Sequence, residues 1–179
     1  MREKKIDCVI LGLLSHEELT GYEIKRRIDS SLSYFWGASY GSIYPALSAL
    51  VSNGLAERRY DEESSRSKQI YSITDKGRAY LREWLLQPVQ RDELRYETLL
   101  KLFFGSEAGA EATAEHIAAF REKTEKALGE LLRAREVLKA HLDEDVTHRY
   151  YLLTVEFGIS TYEGYLKYCD EAIEALGEM

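Results

Sequence analysis

The chain has 179 residues, 45% of them hydrophobic, and a formal net charge of −7. That length suits one large domain or two small ones, and an acidic whole argues against a protein that coats nucleic acid nonspecifically. No run of about 18 apolar residues occurs, so no membrane span is expected. The start, MREKKIDCVILGLLSHEE, has only a short apolar run with acids directly behind it, and reads as a first helix, not a signal peptide. The two cysteines, Cys8 and Cys169, lie far apart in apolar surroundings and read as buried thiols of a cytoplasmic protein. The charge is uneven: residues 1–90 hold 13 Lys/Arg against 12 Asp/Glu, residues 91–179 hold 11 against 19. The near-neutral first half still permits a local basic patch, because phosphate contacts depend on where the charges sit.

Residues 5–14 form the first expected helix, with Ile6, Val9, Ile10, Leu13 and Leu14 as its buried stripe. Gly12 inside it suggests a close helix crossing, since glycine otherwise weakens a helix. Thr20 and Glu23 have capping-box spacing. The helix behind them carries Tyr22, Ile24, Ile28 and Leu32, with Lys25, Arg26 and Arg27 on its outer side. Three such cations can meet a phosphate backbone or form an ordinary solvated face.

Residues 36–55, WGASYGSIYPALSALVSNGL, contain a short helix, taken as 39–53. Ser39 is its candidate N-cap and Gly54 its candidate C′ residue. Ile43, Leu47, Leu50 and Val51 make one apolar stripe. The opposite face carries Gly41, Ser42, Pro45, Ser48, Ala49 and Ser52, all small and uncharged. A solvated helix usually shows Lys and Glu there, so this face is either a second packing surface against protein or one that enters a DNA groove. Two helices joined this way form a helix-turn-helix candidate.

The period then changes. Residues 55–60 and 69–73 read as strands, and the polar stretch 61–68, DEESSRSK, as the hairpin tip between them. Thr74 caps a further helix through Tyr80, Leu81, Trp84 and Leu85, which Pro88 stops. Three helices, a two-stranded hairpin and a closing helix make a winged helix-turn-helix, placed at 1–88. Here YFWGASYGSIYPALSALVSNGL, SRSKQIYSITDKGRAYL and the Thr20-Gly21-Tyr22-Glu23 box resemble the PadR family of transcriptional regulators. The resemblance covers residues 6–85 and implies a repressor-type DNA-binding domain.

The second half, 89–179, is read as helical throughout. Residues 92–104 form a helix with Leu99, Leu100, Phe103 and Phe104 on its apolar side, ended by Gly105; a long helix over 110–142 follows. In the last helix, 145–176, Leu152, Val155, Ile159, Tyr162, Leu166, Cys169, Ile173 and Leu176 are spaced as a heptad seam. The seam is assigned to dimerisation, although its partner can be the 110–142 helix or a second subunit. This half resembles the C-terminal domain of the longer PadR-like regulators, including the virulence-activator type, which implies dimerisation and sensing. The fold class is therefore mainly α: a winged helix-turn-helix followed by a long-helix dimerisation domain.

Enzymatic chemistry finds no support. His16, His116, His141 and His148 lack metal-ligand spacing, and no phosphate loop or nucleophile motif occurs. No metal and no cofactor are expected. Tyr150, Tyr151, Tyr162, Tyr165 and Tyr168 are core residues first, with an aromatic effector pocket as the alternative.

The reading is a homodimeric transcriptional repressor on a pseudo-palindromic operator of double-stranded DNA, released by a small molecule or another signal. Ser39, Tyr40, Ser42 and Tyr44 contact bases or phosphates in the major groove. Arg66 and Lys68 on the wing reach the adjoining backbone or minor groove, and Lys25, Arg26 and Arg27 touch phosphates. The groove-facing side has no Arg or Lys, so bidentate guanine readout from it is excluded. Asp61, Glu62 and Glu63 would repel phosphates, so they are expected to point away from the duplex, or else DNA affinity is modest and salt-sensitive. The rival is a winged-helix protein–protein module without operator DNA.

Overall fold

The computed structural model describes residues 5–61, 68–89, 92 and 96–178. The chain divides into two compact units, residues 1–92 and 93–179.

In the first unit α1 spans Lys5–Leu14 and buries Cys8, Ile10, Leu11 and Leu14. Gly12 corrects one expectation. A Cβ added there would meet nothing within 4 Å, so among the described residues no helix crosses closely; its carbonyl accepts from Ser15 Oγ at 2.7 Å. The capping box forms as the spacing predicts, with the Thr20 amide donating to Glu23 Oε2 at 2.8 Å and the Glu23 amide to Thr20 Oγ1 at 3.2 Å. It opens α2 (Gly21–Arg27), which loosens into a π-helical turn over Ile28–Leu32. Ile24 and Ile28 are buried, but Tyr22 is 62% exposed, so it does not share their inner face.

Helix α3 spans Tyr40–Ser52, one residue shorter at each end than read from sequence. Its exit is a Schellman turn: the Leu55 amide donates to the Leu50 carbonyl at 2.9 Å and the Gly54 amide to that of Val51 at 3.0 Å. Gly54 supplies the required positive φ of 67°. Strand β2 (Ala56–Asp61) and strand β3 (Lys68–Ile73) pair antiparallel. A strand missed from sequence, β1 (Leu19–Thr20), adds to the other edge of β3, so the sheet order is β1-β3-β2. Two residues are too few for an alternation to show. Helix α4 (Asp75–Leu86) is capped by Thr74 Oγ1, which accepts from the Gly77 amide at 3.0 Å. The core between these elements is built from Ile10, Leu11, Ile24, Ile28, Ile43, Leu47 and Leu50, all close to fully buried.

In the second unit α5 covers Glu97–Phe103, shorter than the helix read from 92, and Gly105 starts a 3-10 turn, Gly105–Glu107. Helices α6 (Ala110–Ala140) and α7 (Val146–Gly177) follow. They run antiparallel against each other. Arg121 Nε donates to Asp170 Oδ1 at 2.6 Å, and Lys139 lies 3.7 Å from Glu156 near the other end. Asp145 caps α7 by accepting from the Thr147 amide at 2.8 Å.

The heptad seam is closed inside this hairpin. Val155, Ile159 and Cys169 are buried within the single chain, and Leu152, Tyr162, Leu166 and Ile173 are half-buried beside them. Within the single chain the seam thus packs on α6, one of the two partners its spacing allowed. Tyr162 and Tyr165 join Tyr96 and Phe120 in an aromatic cluster with ring centroids 5.6–6.0 Å apart. The Tyr96 and Tyr165 hydroxyls hydrogen-bond there. Burial, then that hydrogen bond, pushes the Tyr96 phenol well above its ordinary pKa. Tyr150, Tyr151 and Tyr168 instead stand exposed. Burial also pushes the Cys169 thiol up, and its full enclosure is the opposite of the exposed setting a reactive thiol needs.

Candidate nucleic-acid interface

Helix α3 turns Ile43, Ala46, Leu47 and Leu50 into the core. That orientation forces the other side outward. Gly41, Pro45, Ser48 and Ser52 are exposed, Ser42 and Ala49 partly so. Among the described residues, the small uncharged face is therefore mostly turned outward. Ser39 is the N-cap by position, but its hydroxyl makes no capping bond, contrary to expectation. Its carbonyl does the work instead, accepting from Ser42 Oγ at 2.8 Å and from the Ser42 and Ile43 amides at 3.0 and 3.1 Å.

Tyr40 and Tyr44 lead the exposed side, 45% and 47% exposed. One helical turn apart, they stack with centroids 6.1 Å apart and 19° between planes. Lys25 of α2 sits over the Tyr40 ring, 5.7 Å from its centroid. The structure thus joins Lys25, Tyr40 and Tyr44 into one layer.

The cations of α2 are not equivalent. Lys25 pairs with Asp29 and Arg27 pairs with Glu17. Arg26 is exposed and has no ion pair among the described residues. Lys68 is exposed at the start of β3. It acts on the Glu23 carboxyl, held below its ordinary pKa first by the Thr20 amide and hydroxyl and only weakly by Lys68 and Arg27. Sequence reasoning passed over Arg58 and Arg59 on β2. Arg58 lies over Tyr60, 5.8 Å from its ring centroid, and Arg59 reaches Glu18 at 2.5 Å. Two adjacent arginines on an exposed wing strand were the available signal. Arg66, Glu62 and Glu63 lie outside the described residues, and Asp61 is described only by its backbone pairing with Lys68.

This surface has a smooth helix face with Lys25 of α2 over its leading tyrosine. Among the described residues no cluster of His, Cys, Asp and Glu could hold a metal ion, and no helix is long and apolar enough to cross a membrane.

Comparisons with known proteins agree across both units. The model of the transcriptional regulator PadR-like family matches residues 10–83, and that of the virulence activator alpha C-term matches residues 94–177. The negative transcriptional regulator PadR of Bacillus subtilis is 31% identical over 134 residues, 73% of each chain. The crystal structure of that protein in complex with operator DNA superposes with a TM-score of 0.79 at 25% identity, over 97% of this chain and 99% of that one. The Vibrio cholerae virulence activator AphA superposes with a TM-score of 0.73 at 28% identity, over 97% and 99%.

Proposed function

Because the chain belongs to the PadR-like family of transcriptional regulators, we propose that it is a homodimeric repressor that binds a pseudo-palindromic operator through its first unit. The observation that carries this reading is the outward face of α3. It is uncharged, small and led by Tyr40 and Tyr44, and Lys25 of α2 lies over Tyr40. A groove admits such a face closely. Ser42, Tyr40 and Tyr44 offer hydroxyls and ring edges to bases, and the main chain at Ser39 fixes the start of the helix. Arg26, Lys68 and Arg66 meet phosphates. Lys25 and Arg27 exchange their acids for phosphates or stay as braces.

The second unit holds two heads together. Its subunit contact takes in a second stripe on α7, formed by Val146, Tyr150, Leu153 and Phe157 and continued at Tyr168, all exposed in the single chain. Their spacing puts them on one side of the helix, and an exposed apolar stripe of this length calls for a partner. Leu100 and Phe103 of α5, and Phe104 directly after it, add to the apolar surface of this unit. A small molecule or other signal that shifts these helices changes the separation of the heads. The population then moves from a DNA-competent to an incompetent dimer. The reading places the protein in the cytoplasm, with its DNA.

Selection of bound duplexes from a random pool tests the reading. An enriched motif with two inverted half-sites about one helical turn apart, or a multiple of that, is the expected result. Recovery of no enriched sequence leaves the protein–protein module in its place.

A further inference from the structure

The geometry points to Gly21 as the positioning residue for the DNA-reading tyrosines: its missing side chain is the seat against which the Tyr44 ring rests. This inference rests on the DNA-binding reading above. A Cβ built on Gly21 would lie 2.7 Å from Tyr44 Cε1, 3.0 Å from Cζ and 3.2 Å from the hydroxyl oxygen. Carbon atoms in contact ordinarily stay about 3.5–4.0 Å apart, so the ring and an alanine methyl cannot share this space.

Either the backbone at Gly21 or the ring must give way. The backbone is held from both sides. Thr20 pairs with Ile70 in the sheet, and the Thr20–Glu23 capping box closes over the first turn of α2. The ring, by contrast, is the free end of a side chain that is 47% exposed. It is therefore the ring that moves. Tyr44 stacks on Tyr40, and Lys25 covers Tyr40, so a displaced Tyr44 disturbs the whole layer. Gly21 is buried and lies in α2 without a positive φ. Backbone freedom gives no reason for glycine at this position, and alanine is the better helix former. The space given to Tyr44 does.

A double-mutant cycle tests this, read as operator affinity for the full-length protein on a duplex recovered by the selection above. Gly21→Ala is expected to keep the melting temperature and to bind about tenfold more weakly, the cost typical of one lost base contact. Tyr44→Ala removes the clashing ring, so adding Gly21→Ala to it is expected to change nothing further. In Tyr44→Phe the ring remains, and the Gly21→Ala loss is expected to persist. The Tyr44 ring resonances of the free protein should shift in Gly21→Ala. Unchanged affinity in Gly21→Ala overturns the inference, as does an equal loss in the Tyr44→Ala background, which would mean a purely structural glycine. A fall in stability of Gly21→Ala that Tyr44→Ala does not relieve overturns it as well. Failure of the wild-type chain to select any duplex would instead sink the DNA-binding reading.

Discussion

A Cβ added to Gly77 would stand 2.0 Å from the Leu55 carbonyl oxygen. That oxygen also accepts from the Thr74 amide at 3.2 Å, while Thr74 Oγ1 donates to the Gly54 carbonyl at 2.8 Å. The start of α4 is thus docked on the chain leaving α3, and it holds the end of that helix. Unlike Tyr44 at Gly21, the obstacle here is backbone and cannot swing aside. Gly77→Ala should cost at least about 1–3 kcal/mol, the range for overpacking a tight site, and lower the melting temperature by several degrees. A melting curve identical to wild type would show that the docking is loose.

The capping box makes stability depend on pH in a definite direction. The Glu23 carboxyl titrates below its ordinary range because the Thr20 amide and hydroxyl donate to its charged form. A group whose folded pKa is lowered supports the fold above its unfolded pKa and loses that support as pH falls through the folded value. Glu23→Gln should therefore be less stable than wild type near neutral pH, with the gap closing in acid. Thr20→Ala should cost about 1 kcal/mol, as loss of an N-cap side chain does. Thermal melts across pH check both.

On the wing and on α2, charge should set affinity without setting sequence preference. Lys68→Ala, Arg66→Ala and Arg26→Ala are each expected to weaken binding to all duplexes alike, and to reduce the slope of log affinity against log salt by about one. Lys25→Ala and Arg27→Ala should lower that slope less, because their charges are already met by Asp29 and Glu17. A titration series at several salt concentrations separates the two groups.

The subunit contact can be told from the internal seam by two substitutions. Phe157 is 67% exposed and Val155 only 6%. Phe157→Glu should yield a folded monomer in sedimentation analysis, with operator affinity lost along with the dimer. Val155→Ala should leave the dimer formed but lower stability by about 0.5–2 kcal/mol, the cost of removing methyl groups from a packed site. A Phe157→Glu protein that remains dimeric would move the contact elsewhere.

The elements were legible in the sequence wherever their cause is local. The Thr20–Glu23 box, the Gly54 exit, the Thr74 cap and the heptad spacing of α7 depend on residues within a few positions of one another, and each is present in the structure. The outward face of α3 was readable because it lacks charge. What only the tertiary structure decided is which partner each feature meets. Three cations in a row look alike on paper, yet Glu17 lies ten residues from Arg27 and takes its charge. A heptad seam requires a neighbouring helix without saying whose, and α6 of the same chain supplies it. Gly12, Gly21 and Gly77 are one residue type with three different surroundings: open space, an aromatic ring and a carbonyl oxygen. Periodicity and capping act along the chain, whereas burial, ion pairing and steric closeness arise between segments far apart in it, and folding alone brings those together.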